Sequence, residues 1–330
     1  MNVKEKVKGS DWYCFLKNVY FKCRVVLVPK RVYAVVSYWI RSRKFLDIEH
    51  PKTFDEKLWW LKFNYHNPLQ TQCADKWRVR EYVRECGLED ILVPTYGYFS
   101  SIDELDVEKI PADEFFLKCT HLSGGNMIVR KDSFDRKAVA KRFGQWLRFN
   151  AYYYGYEWPY KHMNPGLIAE KVLNTPEPNG LLDYKFMCFE GEPKLLFLDI
   201  GVCNQDGSHA KEYYRNIYDM DFHLTAIRET RENAPHPISK PANFERMVEI
   251  ARQLSKPFPH CRIDLYNVDG KIYFGEITFY HGSGYNNICP REAELMMGSW
   301  IDIDRHSNVY IEFSSTQPGY RKCISLNRKD

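Results

Sequence analysis

Residues 262–278 restrict the fold of this chain more than any other segment, and they read RIDLYNVDGKIYFGEIT. Alternating apolar and polar residues flank an Asp-Gly pair, a pattern that predicts a β-hairpin. Because side chains alternate along a strand, Arg262 and Asp264 share one face of the first strand, and Glu276 and Thr278 share one face of the second. If those faces coincide, two carboxylates, a hydroxyl and a guanidinium meet, a set that suits Mg²⁺. The alternative is a solvated polar face on an edge hairpin.

A glycine-containing turn follows the hairpin, and its four residues are His281, Gly282, Ser283 and Gly284. Its backbone N–H groups can approach a phosphate or an anionic substrate closely. His281 lies beside the predicted metal ligands and can orient an acceptor. We predict substrate contacts here, although many ordinary turns also contain two glycines.

A second candidate site is a loop between two predicted strands, 114–118 and 127–130. Lys118 ends the first strand, and the loop that follows contains Ser123, Gly124, Gly125 and Asn126. A lysine supplies a point charge and the glycines allow close backbone approach, so this loop can clamp a triphosphate. It is not a Walker A motif, because no Gly-Lys-Ser/Thr is present. An ordinary hairpin loop is the alternative.

A third candidate is the end of an apolar segment, 167–173, which contains Glu170, Lys171, Val172 and Leu173. Its backbone can hydrogen-bond an adenine edge while Val172 and Leu173 pack on the ring. Further along the chain, Asp183 and Lys185 point to the same side of a predicted strand. They are suited to a ribose and a phosphate, respectively.

The predicted elements define an α+β fold class. Residues 1–48 are predicted to be helical with a break at Pro29, and 53–86 to be helical after a capping box formed by Thr53 and Glu56. Further helices are predicted over 133–150, 243–254 and 291–300, and strands over 91–93, 167–173, 182–190 and 193–200. Helices, a small strand lobe and paired antiparallel strands in this order indicate α+β sandwich lobes.

The charge distribution is uneven along the chain. Residues 1–46 contain eleven Lys or Arg and two acids, so their net charge is +9. Because the whole chain has a net charge of +4, the remaining residues sum to −5. Aromatic residues lie among these charges, and a basic, aromatic-rich helical segment can bind an anionic membrane surface. Alternatively, it caps the core and its charges are solvated. No basic patch recurs later, which disfavours nucleic acid.

The chain lacks an obvious targeting signal. No apolar stretch of signal-peptide length follows the first lysines, and no run of 18 apolar residues is present. The ten cysteines are scattered without a CxxC pair, which disfavours a zinc site. We predict a cytoplasmic protein, peripheral on the inner face of the membrane if the basic segment binds lipid.

The order of these motifs resembles ATP-grasp ligases: lysine, glycine-rich loop, Glu-Lys-hydrophobic, Arg-x-Asp, then Glu-x-Thr and a glycine turn. The D-alanine–D-alanine ligase branch is similar in its Arg-x-Asp and Glu-x-Asn spacing. A closer resemblance, over about residues 50–305, is to the TupA-like ATP-grasp proteins of cell-surface polysaccharide gene clusters. It rests on FDEKLWWLK, DKWRVREYV, LKCTHLSGGN, DYKFMCF and GEITFYHGSG.

This resemblance implies two α+β lobes that grip ATP and Mg²⁺. Lys118 and Lys185 would contact phosphates, residues 123–126 would form the phosphate lid, and residues 170–173 would line adenine. Asp264 and Glu276 would bind Mg²⁺, and Arg262, the catalytic residue, would neutralise charge on the transferred phosphoryl group. Thr278 departs from the family pattern, since many ATP-grasp enzymes have a metal-binding Asn there.

The implied division comprises a basic helical segment (1–48), a helical lead-in (49–110), a small lobe (111–173), a large lobe (174–305) and a tail (306–330). The implied reaction is ATP-dependent amide formation through an acylphosphate. Its substrates would be a uronic acid of a surface polysaccharide or precursor, and an amino acid or amine. Asp219 and Asp221 form a DxD, so a glycosyltransferase that uses a nucleotide sugar is one alternative. An ATP-dependent sugar kinase and a non-catalytic scaffold are others.

Overall fold

A computed structural model describes residues 11–175, 180–204 and 206–307. The first ten residues of the basic segment and residues 308–330 of the predicted tail lie outside the described residues. The described residues begin with two helices, α1 (Asp11–Leu27) and α2 (Lys30–Ser42). They are separated at Pro29, as predicted, since proline fixes its own φ and disfavours a helical conformation for the residue before it. Ala34 and Tyr38 of α2 are buried in a cluster with Trp59 and Phe63.

Helix α3 (Phe54–Asn64) begins with the predicted capping box. The Thr53 hydroxyl accepts from the Glu56 N–H at 3.4 Å, and the Glu56 carboxylate accepts from the Thr53 N–H at 2.8 Å. Two short helices follow, α4 (Pro68–Ala74) and α5 (Val79–Glu85), separated by a turn at residues 75–78.

The small sheet has four antiparallel strands in the order β1-β4-β2-β3. They are β1 (Thr95–Phe99), β2 (Glu114–Cys119), β3 (Asn126–Arg130) and β4 (Leu167–Glu170). Helix α6 (Arg136–Leu147) packs Val139 and Phe143 onto it. The strand predicted at 91–93 is not formed, because residues 89–91 make a 3₁₀ turn, and β1 begins after Pro94 instead. β1 lies in the segment predicted as a helical lead-in.

The large sheet has five antiparallel strands in the order β10-β9-β5-β6-β7. They are β5 (Asp183–Phe189), β6 (Glu192–Ile200), β7 (Tyr214–Tyr218), β9 (His260–Val268) and β10 (Lys271–Thr278). Helix α8 (Phe244–Ser255) buries Phe244, Met247, Ile250 and Leu254 against this sheet. Both predicted hairpins, β5–β6 and β9–β10, are present.

The remaining elements are three short helices and a third sheet. They are α7 (Ala151–Gly155), α9 (Arg291–Ser299), α10 (Ile303–His306) and a two-stranded sheet of β8 (Arg228–Glu229) and β11 (Ile288–Cys289). Across the described ranges, no helix is long and apolar enough to cross a membrane.

Candidate active site

A row of charged side chains crosses all five strands of the large sheet. From β10 to β7 it comprises Glu276, Asp264, Lys185, Asp199 and Arg215. Asp264 lies opposite both Glu276 and Lys185, and Asp199 lies opposite Arg215. Because directly opposed residues of antiparallel strands share a face, the row lines one cavity of about 740 Å³. Residues of the small sheet form the other wall of this cavity.

A β-bulge in the β9–β10 hairpin places the charged residues of both strands on the same face of the sheet. Phe274 pairs with Leu265, but Glu276 pairs with Asp264, so Gly275 is the extra residue. Without this bulge, Glu276 would lie opposite Ile263 and point away from Asp264. A Cβ at Gly275 would approach the Asp264 carbonyl oxygen to 3.0 Å, tighter than most real Cβ contacts.

Arg262 joins the two carboxylates of the hairpin. Its Nε and Nη2 donate to Asp264 Oδ1 and Oδ2, both at 2.7 Å, and Nη2 also lies 3.0 Å from Glu276 Oε1. Thr278 Oγ1 donates to Glu276 Oε1 at 3.2 Å. The predicted metal ligands and the predicted catalytic arginine therefore form one cluster.

Glu276 also contacts a lysine that our sequence prediction did not place in the site. Lys76 Nζ lies 3.0 Å from Glu276 Oε2 and donates to the Leu122 carbonyl at 2.9 Å. Burial would raise the pKa of Glu276, but Lys76, Arg262 and Lys185 outweigh it and hold this pKa well below its usual range. Glu276 therefore stays ionised.

Lys185 lies at the centre of the row. It is hydrogen-bonded to Asp183, lies 3.2 Å from Asp264 Oδ2 and is 3.8 Å from Asp199 Oδ2. Burial raises the pKa of Asp183 to about 6, although Lys185 opposes this shift. Asp183 Oδ1 is buried and has no hydrogen-bond partner among the described residues. A buried carboxylate oxygen without a partner is expensive, so a cation or a ligand hydroxyl suits this position.

At its β7 end, the row of charges is connected back to Arg262 through Glu229 and His281, so that these residues form a closed ring. Arg215 pairs bidentately with Asp199 at 2.5 and 2.7 Å and also pairs with Glu229. His281 Nδ1 lies 2.9 Å from Arg262 Nη1, and because a guanidinium only donates, Nδ1 accepts. His281 Nε2–H therefore donates to Glu229 at 3.1 Å. Burial lowers the pKa of His281, which agrees with a neutral imidazole.

The small lobe contributes the predicted lysine and loop. Lys118 Nζ pairs with Glu170 Oε2 at 2.7 Å and lines the cavity. The loop residues that line the cavity are Ser123, Gly124, Gly125 and Asn126. Asn126 Oδ1 is buried and accepts no hydrogen bond from the part of the chain that the structure describes. Lys171, Val172 and Leu173 also line the cavity, but they lie beyond β4, which ends at Glu170 rather than at residue 173.

The glycine turn is divided between the cavity and helix α3. His281 and Gly282 line the cavity. Trp59 Nε1 donates to the Gly284 carbonyl at 2.9 Å, and Lys62 Nζ donates to the Ser283 carbonyl at 2.9 Å. Ser283 and Gly284 therefore anchor the turn, and, like Glu170 and Thr278, they are not among the residues that line the cavity.

The DxD lies apart from this cavity. Asp219 Oδ1 accepts from the backbone N–H groups of Asp221 at 3.0 Å and His223 at 2.8 Å. The side chains of Asp219, Asp221 and His223 cluster at the surface. This carboxylate organises its own turn, and none of the three residues lines the cavity.

The residues present fit a magnesium-bound nucleoside triphosphate. Asp264, Glu276 and the unpartnered oxygen of Asp183 are hard oxygen donors of the kind Mg²⁺ prefers. Lys118 and Lys185 reach the same cavity and supply positive charge for phosphates. Asp199, Arg215, Glu229 and Lys76 belong to the same network but were not assigned to the site from the sequence, because no short sequence pattern places them there.

Two α+β lobes around a cleft with these charges define an ATP-grasp fold. The chain belongs to the TupA-like ATP-grasp family, whose sequence model matches residues 56–302. This match confirms the predicted family, the α+β fold class and the assignment to the ATP-grasp class of ATP- and Mg²⁺-dependent enzymes.

Solved ATP-grasp structures resemble this chain at low identity. The L-amino acid ligase from Bacillus licheniformis is 17% identical, with a TM-score of 0.42 over 66% of this chain and 46% of that one. The D-alanine–D-alanine ligase from Helicobacter pylori is 13% identical, with a TM-score of 0.39 over 75% and 69%. The chain spans about half the length of the first of these structures. No curated protein matches the chain.

Proposed function

We propose that this protein is a Mg-ATP-dependent carboxylate–amine ligase. The observation that carries the proposal is the Arg262 cluster: one guanidinium holds Asp264 and Glu276 together, beside Lys185 and across from the glycine-rich loop. When bound, Mg-ATP would supply an electrophilic phosphoryl group and the charge that polarises it. Asp264 and Glu276 would hold the metal ion.

The other residues of the cluster would act by position and charge. Lys118 and Lys185 would bind phosphate oxygens, and Arg262 would neutralise the charge that develops during phosphoryl transfer. A carboxylate oxygen of the substrate would take the phosphoryl group, releasing ADP and forming an acylphosphate. The amine nitrogen would then attack the acyl carbon, lose a proton and expel phosphate, leaving an amide.

We further propose that Arg231 binds the carboxylate substrate. Of the large-lobe cations that line the cavity, Lys185, Arg215 and Arg262 are already paired with carboxylates. Among the described residues, Arg231 has no carboxylate within salt-bridge distance. Its guanidinium lies over the Tyr213 ring at 4.2 Å, and its Nη1 donates to the Lys211 carbonyl at 3.0 Å. The remaining N–H donors of its planar guanidinium group suit the two oxygens of a carboxylate.

For the identity of the substrates, we propose a uronic acid of a cell-surface polysaccharide, or its lipid-linked precursor, and an amino acid or amine. The support is the resemblance to TupA-like proteins, together with Tyr213, whose ring offers an apolar surface beside Arg231. We also propose a cytoplasmic protein that contacts the inner face of the membrane, where a lipid-linked acceptor would be found.

A thermal-shift series tests the proposed function, because ligands that bind the native state raise the melting temperature. The ligands are Mg²⁺, Mg-ATP, Mg-ADP and Mn-UDP-sugars, and the variants are Glu276→Gln and, as a matched control, the exposed Glu249→Gln. We expect Mg-ATP to raise the melting temperature of the wild type and of Glu249→Gln only.

The other outcomes separate the alternatives. An undiminished Mg-ATP response in Glu276→Gln would refute the metal assignment. A response to UDP-sugars alone would favour a glycosyltransferase and direct attention to Asp219 and Asp221. If Mg-ATP binds, uronic acids are screened with amino acids for release of ADP and phosphate, and a phosphorylated sugar without free phosphate would identify a kinase.

A further inference from the structure

Helix α1 has an apolar face that is exposed among the described residues. Six large apolar side chains are exposed by 40% or more: Phe15, Leu16, Val19, Tyr20, Val26 and Leu27. At about 100° per residue, all six fall within one arc of roughly 140°. Lys17 and Lys22, both exposed, lie at the two borders of this arc. The opposite side of the helix carries Phe21 and Val25, which are partly buried.

Helix α2 has a similar outward face. Val32, Val36, Trp39 and Ile40 are exposed by 47–55% and fall within one arc of about 100°. Ala34 and Tyr38 lie on the opposite side and are fully buried. Arg43, at the end of the helix, is exposed and lies over the Trp39 ring at 5.1 Å. The outward faces of α1 and α2, defined by these ten apolar residues, are called the apolar faces below.

The apolar faces are unusual for this molecule. Of the 17 large hydrophobic side chains that are exposed among the described residues, eleven lie between residues 15 and 45. The other six are spread over residues 77–296, and single exposed apolar residues of that kind are normal on protein surfaces. Contiguous apolar stripes on two successive helices instead indicate a surface that is covered by something else.

The charges bordering the apolar faces indicate what covers them. Arg24 is buried, with its guanidinium over the Tyr33 ring at 3.7 Å. Arg41 lies over the Tyr285 ring at 4.1 Å but is exposed, as are Lys17, Lys22 and Arg43. Residues 12–46 contain no Asp or Glu, so α2, and α1 after its first residue Asp11, carry basic side chains and no acidic ones.

We propose that the apolar faces of α1 and α2 bind the surface of an anionic membrane. Apolar side chains would enter the interface while the bordering Lys and Arg side chains reach the lipid phosphates. A second copy of the chain would place like charges against each other, and nucleic acid would leave the apolar side chains in water. Over its described residues neither helix is long and apolar enough to span a bilayer, and in this proposal the protein lies on the membrane surface.

Vesicle co-sedimentation of the full chain tests this proposal independently of the ligase function. At low salt, we expect roughly 10-fold more bound protein on vesicles with about 30% phosphatidylglycerol than on pure phosphatidylcholine, since each basic side chain adds attraction to an anionic surface. Val36→Ser/Trp39→Ser/Ile40→Ser and Leu16→Ser/Val19→Ser should each lose most of this binding. Lys17→Gln/Lys22→Gln should weaken it and reduce its salt dependence.

The control is Leu224→Ser/Met296→Ser, which removes exposed apolar side chains outside α1 and α2 and should bind vesicles like the wild type. Equal melting temperatures will establish that the variants are folded, as expected for substitutions at exposed positions. The proposal is overturned if the wild type does not sediment with anionic vesicles, binds neutral vesicles equally well, or loses no binding in the face variants. It is also overturned if light scattering shows a dimer that the face variants dissociate without any change in vesicle binding.

Discussion

Lys76 and Glu276 are 200 residues apart in sequence, yet Lys76 Nζ lies 3.0 Å from Glu276 Oε2. The same ammonium group donates to the Leu122 carbonyl, immediately before the glycine-rich loop. Lys76 thus ties the loop of the small lobe to a proposed metal ligand of the large lobe. Movement of the glycine-rich loop therefore changes the surroundings of Glu276, and movement of Glu276 changes those of the loop.

We expect Lys76→Met to loosen this connection. Hydrogen exchange at residues 123–126 should become faster in the ligand-free protein, and the unfolding free energy should fall by about 1–3 kcal/mol, because a partly buried carboxylate loses a charged partner. Mass-spectrometric hydrogen exchange and urea unfolding measure the two effects. The exposed Lys52→Met is the control. Unchanged exchange in the loop would show that Lys76 does not restrain it.

Arg231→Gln should impair use of the carboxylate substrate without affecting ATP binding. Loss of the charge-assisted hydrogen bonds from a guanidinium to the substrate carboxylate costs about 1.5–3 kcal/mol of binding free energy. The KM for the carboxylate should therefore rise roughly 10- to 100-fold. The measurement is carboxylate-dependent ADP release, with the exposed Arg246→Gln as the control. If the thermal shift with Mg-ATP is also lost, Arg231 supports the nucleotide site and the substrate assignment is wrong.

Glu229 predicts a pH dependence of stability. Burial would raise its pKa, but His281 and Arg215 lower it to about 2, from an ordinary value of 4.5. The ionised group therefore contributes roughly 3 kcal/mol above pH 4.5, and about half of this contribution is lost by about pH 3. Urea unfolding across this range should show the wild type converging on Glu229→Gln as the pH falls, while the exposed Glu232→Gln stays parallel to the wild type. A constant difference between wild type and Glu229→Gln would contradict the assignment.

Thr53→Ala should weaken helix α3 and, with it, the glycine turn that Trp59 and Lys62 hold. Loss of the N-cap oxygen should lower the unfolding free energy by about 1 kcal/mol. Thr53→Ser keeps the oxygen and should restore most of the stability in the same urea titration. Equal destabilisation by both substitutions would mean that the Thr53 methyl group, and not the cap, supports the helix.

The β9–β10 hairpin shows where prediction from sequence reaches its limit. Strand alternation correctly grouped Arg262 with Asp264 and Glu276 with Thr278. It could not decide whether the two groups share a face, because that depends on the bulge at Gly275, which shifts the register by one residue. A register that differed by one residue would have placed the carboxylates of Asp264 and Glu276 on opposite faces of the sheet.

Local patterns in the sequence determined the hairpins, the capping box of α3, the break at Pro29 and the main helices, because each depends on neighbouring residues alone. The tertiary structure decided which charges meet. Lys76, Asp199, Arg215 and Glu229 come from separate segments and join the site only when the sheet brings them into contact. It also turned Ser283 and Gly284 towards α3 and, within the part of the chain that the structure describes, left the apolar faces of α1 and α2 exposed. Such contacts depend on how distant elements pack, which no short-range periodicity specifies.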